Sequence, residues 1–536
     1  MTAILSYTKA KTELTFAEKI GQLFMPAAFI NDTEAEITTL ENLIRDYNIG
    51  SLCFFHSRAS AATNFEGKKK IIYNNDSLNT LKKIIKRYQS AAKYPLLISI
   101  DAEWGLAMRI ENTPKYPYAI TLGAIKNNTD VLFDVGKQIA IDCKNAGIHW
   151  NLAPVVDINN NPNNPVIGYR SFGENKELVT TKAVAFIKGA ESENILTCIK
   201  HFPGHGDTDT DSHLGLPIIK KSKKELLDNE LYPFKEIIKK NVDSVMVGHL
   251  AVPSLSDGEN IPATLSSSII KGVLRKELGF NGVVISDALN MHSVSKLYTI
   301  KGKLEWLAFN AGNDVLCFAE NTLEGITTIL KNASKNQIEE SFERIWKLKE
   351  KAFKNKNQVQ KSSSSSRLKE HDRLNHEIAE NSITLFNGDD ENIISFKKEG
   401  FTGINVGNKD KNCFFDLISD EVSFDSLLYS KLNIDTLKIK LINKKNILIS
   451  LFPPQIKPAN NFGFSVEEIN FINELIRTKN TVIYLFGNPY VLNIFATANS
   501  KATLIVYENT IQFQKQATKH FLGNISALGK LPITIN

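Results

Sequence analysis

The sequence predicts an α/β protein: a (β/α)8 TIM-type barrel over residues 1–355, followed by a smaller α/β three-layer sandwich domain over 376–536. Three observations carry this. Short apolar, β-branched runs alternate with longer amphipathic stretches, the pattern of parallel strands joined by crossover helices. Eight such runs fall before residue 320, the number a closed barrel needs. After residue 353 the pattern gives way to a polar stretch and then restarts.

The eight runs, in order, are IGQLFMPA (20–27), IGSLCFF (49–55), PLLISI (95–100), HWNLAPVV (149–156), ILTCI (195–199), DSVMVG (243–248), GVVIS (282–286) and DVLCF (314–318). Between them, SLNTLKKIIKRYQSAAK (77–93) and SKKELLDNELYPFKEIIKKN (222–241) repeat apolar residues at helical spacing. The helical pattern EESFERIWKLKEKAF (339–353) ends the series. A run of five serines, Ser362–Ser366, inside a polar stretch assigns 356–375 to a linker. Beyond it, NSITLF (381–386), TGINVG (402–407), NILISLF (446–452), TVIYLF (481–486) and ATLIVY (502–507) read as strands, and SVEEINFINELIRT (465–478) as a helix between two of them. This second domain carries neither a P-loop nor a GxGxxG, so no nucleotide site is read in it.

Composition narrows the partners. The chain has 536 residues, 64 Lys plus Arg against 58 Asp plus Glu (64 − 58 = +6), and 42% hydrophobic residues. So dilute a positive excess points to neither nucleic acid nor membrane, and a small or uncharged partner is expected. No run approaches the roughly 18 apolar residues of a membrane helix, and the first residues lack the apolar core of a signal peptide. Cys53, Cys143, Cys198, Cys317 and Cys413 are odd in number, far apart and without CxxC spacing. They read as buried thiols of a reducing compartment, so the expected location is the cytoplasm, or the periplasm for a chain shortened at its N-terminus. The sequence assigns no oligomeric state.

Chemistry concentrates where the strands end. Asp101, Asp157, Lys200 with His201, His249 and Asp287 each follow one of the predicted strands. In a parallel barrel these ends converge on the face where active sites sit, and five such positions in register point to a shared pocket rather than to isolated caps. The segment KHFPGHGDTDTDSHLGLP (200–217) is the densest cluster. Its three histidines invite a metal, but the helical spacing of zinc hydrolases needs a helix that Pro203, Gly204 and Gly206 oppose, so none is expected. Asp211 and His213, one residue apart, form either an Asp-His dyad for proton transfer near neutral pH or merely part of a solvated acidic loop. Asp287, in GVVISDALNM (282–291), is either a nucleophile on a rigid base or an N-cap for the segment that begins at Ala288.

DAEWGLAMR (101–109), IGYRSFG (167–173), KHFPGHG with the following DSH, PATLS (262–266) and SDALNM together resemble glycoside hydrolase family 3. The DSH-containing loop is similar to the bacterial β-N-acetylglucosaminidase branch, and ENSITLF and GKLPITI (529–535) resemble the family's second domain. The resemblance implies a retaining exo-β-N-acetylglucosaminidase acting on peptidoglycan fragments, without metal or organic cofactor. It implies Asp287 as nucleophile, His213 as general acid and base, and Asp211 as its orienting partner. It assigns Asp101, Arg109, Arg170, Lys200 and His201 to the sugar subsite. The alternatives it leaves are another family 3 β-glycosidase, for glucose or xylose, or a sugar-binding or regulatory relative without turnover. Trp104, Gly105 and Leu106 stand where many bacterial members carry Gly-Gly-Arg, which leaves recognition of a neighbouring N-acetylmuramic acid open.

Overall fold

The computed structural model describes residues 4–61, 72–126, 128–209, 215–354, 364–407, 412–429 and 433–535. They form two compact units. The first comprises Met1–Tyr116, Leu132–Ile158 and Val179–Ser363; the second comprises Pro117–Val131, Asn159–Leu178 and Ser364–Asn536. The division therefore differs from the contiguous halves that composition indicates, because two short segments after barrel strands belong to the second unit.

In the first unit the strands are β1 (Phe24–Met25), β2 (Ala27–Phe29), β3 (Ser51–Phe55), β4 (Leu97–Ile100), β5 (Trp150–Asn151), β6 (Leu196–Phe202), β7 (Ser244–Val247), β8 (Val283–Ser286) and β9 (Leu316–Cys317). Pro26, which has no amide hydrogen to donate, separates β1 from β2, so the two together fill one barrel position. Strands β2 to β8 form one sheet in sequence order, all pairs parallel. A parallel bridge from Ile285 to Val315 carries the ladder onward, and β9 pairs with β1 through Phe24–Leu316 and Met25–Cys317. The ring thus closes with eight strand positions, each over one of the eight predicted runs. Its strands are buried along their length apart from half-buried Ala27 at the start of β2 and Phe55 at the end of β3, as continuous apolar runs of parallel sheets require. The predicted helix over 222–241 is two helices, Lys223–Asp228 and Tyr232–Ile238, broken where Asn229 leaves helical geometry.

The second unit is a six-stranded sheet of β10 (Thr384–Asn387), β11 (Thr402–Val406), β12 (Asp425–Leu428), β13 (Asn446–Leu451), β14 (Asn480–Leu485) and β15 (Ala502–Ile505), in the order β10-β15-β14-β13-β11-β12. Only the β10–β15 pair is antiparallel. Side chains alternate between its faces with period two. Ile447, Ile449, Ile483 and Leu485 pack with Leu437 and Phe471 from the helices Ile434–Leu441 and Val466–Thr478. Tyr484 points the other way, against Phe414 and Phe521 from Cys413–Ser419 and Ile511–Leu522. Helix, sheet and helix are the three layers. Of the stretch 356–375, residues up to 363 lie outside the described residues, and the rest begins the helix Ser364–Ser382.

Candidate active site

Strand β4 ends at Ile100, and Asp101 follows it directly; Lys200 projects from β6 two positions along the sheet. Their side chains meet: Lys200 Nζ lies 2.8 Å from Asp101 Oδ1 and 2.8 Å from Glu103 Oε1. Arg109 closes the cluster from its other side, with a terminal guanidinium nitrogen 2.8 Å from Asp101 Oδ2. Two cations and two carboxylates therefore balance in one place. Burial disfavours the charged form of Asp101, but Lys200 and Arg109 outweigh it and hold its carboxyl well below the usual range. The Arg109 guanidinium also lies 5.2 Å from the centre of the Phe55 ring, at the end of β3, a cation–π geometry that fixes its plane. Glu103 and Phe55 were not singled out from the sequence. Glu103 stands two residues after Asp101, and that spacing was the only signal for it.

A second cluster lies at the end of β6. The Asp157 carboxylate accepts from the backbone amides of His201 (3.1 Å) and His205 (2.8 Å) and lies 2.7 Å from His201 Nδ1. Burial opposes its charge, yet His201 and these donors keep its pKa below the ordinary value. His205 Nδ1 meets Thr208 Oγ1 at 2.8 Å, and burial, reinforced by neighbouring His201, pushes its imidazole down to about 4. His205 is therefore neutral near pH 7, and Asp157 ties together the backbone on which Lys200 and His201 are carried.

Asp287 follows β8. Its amide donates to Val247 O at 2.9 Å, and its Oδ1 accepts the amide hydrogen of Ala288 at 2.8 Å. The next helix is His292–Ser295, with Met291 at its N-cap, so Asp287 does not cap a helix starting at Ala288. The neighbouring Cys53 thiol and burial push the Cys317 thiol up, and the charges of Asp101 and Asp287 add to that push.

Of the residues the resemblance assigns, Asp101, Arg109 and Lys200 come together, His201 stands beside them on Asp157, and Asp287 holds the end of β8. Arg170 lies in the second unit, in the 3-10 turn Gly168–Arg170, where it donates to Val166 O at 3.2 Å. Asp211 and His213 lie outside the described residues. Among the described residues no group of three or more His, Cys, Asp or Glu side chains is arranged to hold a metal ion, and no helix is long and apolar enough to cross a membrane. Cys53, Cys143, Cys198 and Cys317 are buried free thiols, and Cys413 is half-buried.

Residues 15–348 match the family model of the glycosyl hydrolase family 3 N-terminal domain. The chain is 33% identical over 427 residues, 71% of its own length and 69% of the relative's, to β-hexosaminidase A of Pseudoalteromonas piscicida. It is 35% identical over 265 residues, 48% of this chain and 76% of the relative, to a β-hexosaminidase of Psychromonas ingrahamii. Among solved structures, it is similar to a glycoside hydrolase family 3 β-N-acetylglucosaminidase from Paenibacillus sp. str. FPU-7, with a TM-score of 0.76, 26% identity, and coverage of 98% of this chain and 99% of that one.

Proposed function

This chain belongs to glycoside hydrolase family 3, and from that premise we propose that it is a retaining exo-β-N-acetylglucosaminidase, releasing terminal β-linked GlcNAc from peptidoglycan fragments in the cytoplasm. The observation that carries the reading is the Asp287 carboxylate, fixed through Oδ1 just after β8, at the same C-terminal end of the parallel sheet as Asp101 and its partners Lys200 and Arg109. The β-hexosaminidase names of the relatives supply the substrate class.

In the first step Asp287 attacks the anomeric carbon while His213 protonates the departing glycosidic oxygen. In the second, His213 takes a proton from water, which displaces the carboxylate and regenerates it, so the β configuration is kept. Asp211 holds the imidazole in the tautomer that this exchange needs. Asp101 accepts from sugar hydroxyls; Lys200 and Arg109 keep it ionised and donate to the same ring. Such charge-assisted bonds raise the rate insofar as they strengthen in the transition state.

The test is kinetic. Asp287→Asn should abolish cleavage of nitrophenyl GlcNAc without loss of fold, and a fluorinated glycosyl inactivator should add one sugar mass to the peptide carrying Asp287. His213→Ala should slow substrates with poor leaving groups far more than activated ones, because only the former need a proton donor. Equal losses on both would remove His213 from the acid role. Faster turnover of nitrophenyl glucose or xylose than of nitrophenyl GlcNAc would transfer the chain to another family 3 specificity.

A further inference from the structure

We propose that His249 is the positioning residue for Asp287, and that the PATLS segment exists to hold His249; this rests on the reading of Asp287 as nucleophile. His249 follows β7, is 0% exposed, and has Nε2 3.0 Å from the carbonyl oxygen of Ala288. A carbonyl only accepts, so Nε2 carries the hydrogen. The other nitrogen, Nδ1, lies 2.7 Å from Thr264 Oγ1 in PATLS (262–266), and that hydroxyl also lies 3.0 Å from Gly248 O. Thr264 is held in turn through its own carbonyl, which accepts from Asn313 Nδ2 at 2.8 Å. The ring therefore donates from Nε2 to Ala288 and has the Thr264 hydroxyl as its partner at Nδ1, and Thr264 sets its plane.

What this grip controls is the residue after the nucleophile. Ala288 donates its amide hydrogen to Asp287 Oδ1 and offers its carbonyl to His249. The far side of the 288–289 peptide is anchored by Leu289 N to Cys317 O at 3.0 Å, and Asp287 N is anchored to Val247 O at 2.9 Å. Every peptide from 286 to 289 thus has a fixed direction. No helix starts here to supply that rigidity, since helical residues begin only at His292. The Ala288 carbonyl also accepts from Met291 N at 3.0 Å, so His249 is its one side-chain donor among the described hydrogen bonds. Without that donor the peptide tilts toward its remaining backbone partners, the Ala288 N–H shifts relative to Oδ1, and the attacking carboxylate loses its aim. A displacement near 1 Å costs on the order of a hundredfold in rate where alignment is the source of catalysis.

The experiment compares His249→Phe, which keeps a ring without a donor, with His249→Gln, which restores an amide N–H, and Thr264→Val with Thr264→Ser. On nitrophenyl GlcNAc, His249→Phe should lower kcat at least about tenfold with KM within about twofold, and the rate of covalent trapping by the fluorinated inactivator should fall in step. His249→Gln should recover most of the loss, Thr264→Val should show a smaller fall and Thr264→Ser none. Circular dichroism and melting establish that each variant is folded. A folded His249→Phe that is trapped at the wild-type rate, or that changes KM alone, overturns the proposal. Should His249→Phe fail to fold, wild-type kcat in Thr264→Val overturns it instead. Asp287→Asn measured alongside separates the two claims: an active Asp287→Asn removes the nucleophile itself, whereas an inactive one with unaffected His249 and Thr264 variants removes only the positioning role.

Discussion

Buried charge decides much at the scale of single residues, and Lys349 shows it outside the site. It lies on the helix Lys335–Phe353, fully buried, donating to Gln22 Oε1 and 5.5 Å from the Trp346 ring centre. Burial pushes its ammonium down to about 7 from 10.5. Between those values the unfolded chain holds a proton that the folded chain has released, so stability must rise with pH across that window. The cost of burying the charge is fully present below about pH 7 and vanishes toward pH 10.5. Lys349→Met has no such group; in denaturant titrations the wild type should gain on the variant from pH 7 to 10, by ~1.4 kcal/mol for each unit of the shift. Parallel curves would show that Lys349 is not depressed. The same scale sets how far the site was legible. Asp101, Lys200 and Asp287 were legible because each directly follows an apolar run, although β6 itself continues through Lys200 to Phe202. The Lys200–Glu103 pair, the Phe55 ring under Arg109 and the grip of His249 on Ala288 were not, because spacing along the chain does not say which side chains cross between strands.

Elements were most legible where burial is complete. All eight barrel positions and five of the six strands of the second sheet fall on apolar runs, whereas β12 was missed: its residues are exposed or half-buried at the sheet edge, so selection for apolar side chains is absent there. The break at Asn229 was missed because the apolar spacing continues across it. At strand ends the backbone itself is specified. Gly407, just after β11, has φ +86, and a Cβ there would sit 1.9 Å from Phe452 O, while the neighbouring Phe452 N–Val406 O bond of 2.9 Å fixes that approach. Positive φ alone costs an L-residue about 1–2 kcal/mol, and the collision with backbone adds to it. Gly407→Ala should therefore lower stability by more than ~3 kcal/mol, read as a fall in melting temperature. A change under about 1 kcal/mol would mean that the β11 end yields more easily than its hydrogen bonds imply.

For the whole molecule, the decisive feature is that the chain leaves the barrel unit twice and returns. The family match over residues 15–348 contains both excursions, 117–131 and 159–178, yet they are built into the second unit. Ile120 and Ala124 are buried in its core with Ile533, Tyr118 N donates to Glu508 Oε1 at 2.9 Å, Asn159 Nδ2 donates to Tyr490 Oη at 2.6 Å, and Glu174 N donates to Pro532 O at 3.1 Å. Read along the sequence, these segments look like loops after strand ends, since their partners lie more than 300 residues away. A cut at residue 355 therefore does not separate two folding units. It leaves residues 1–355 with the apolar face of 117–131 exposed and its backbone donors without partners, and it takes Ile120 and Ala124 out of the second unit's core. Each fragment expressed alone should be poorly soluble, or should bind a hydrophobic dye and melt without cooperativity. Co-expressed, residues 1–363 and 364–536 should purify together and recover cleavage of nitrophenyl GlcNAc, because each excursion then finds its own core. A soluble 1–355 fragment with full activity and a sharp melt would show instead that the excursions fold with the barrel, and the division into units would have to be redrawn.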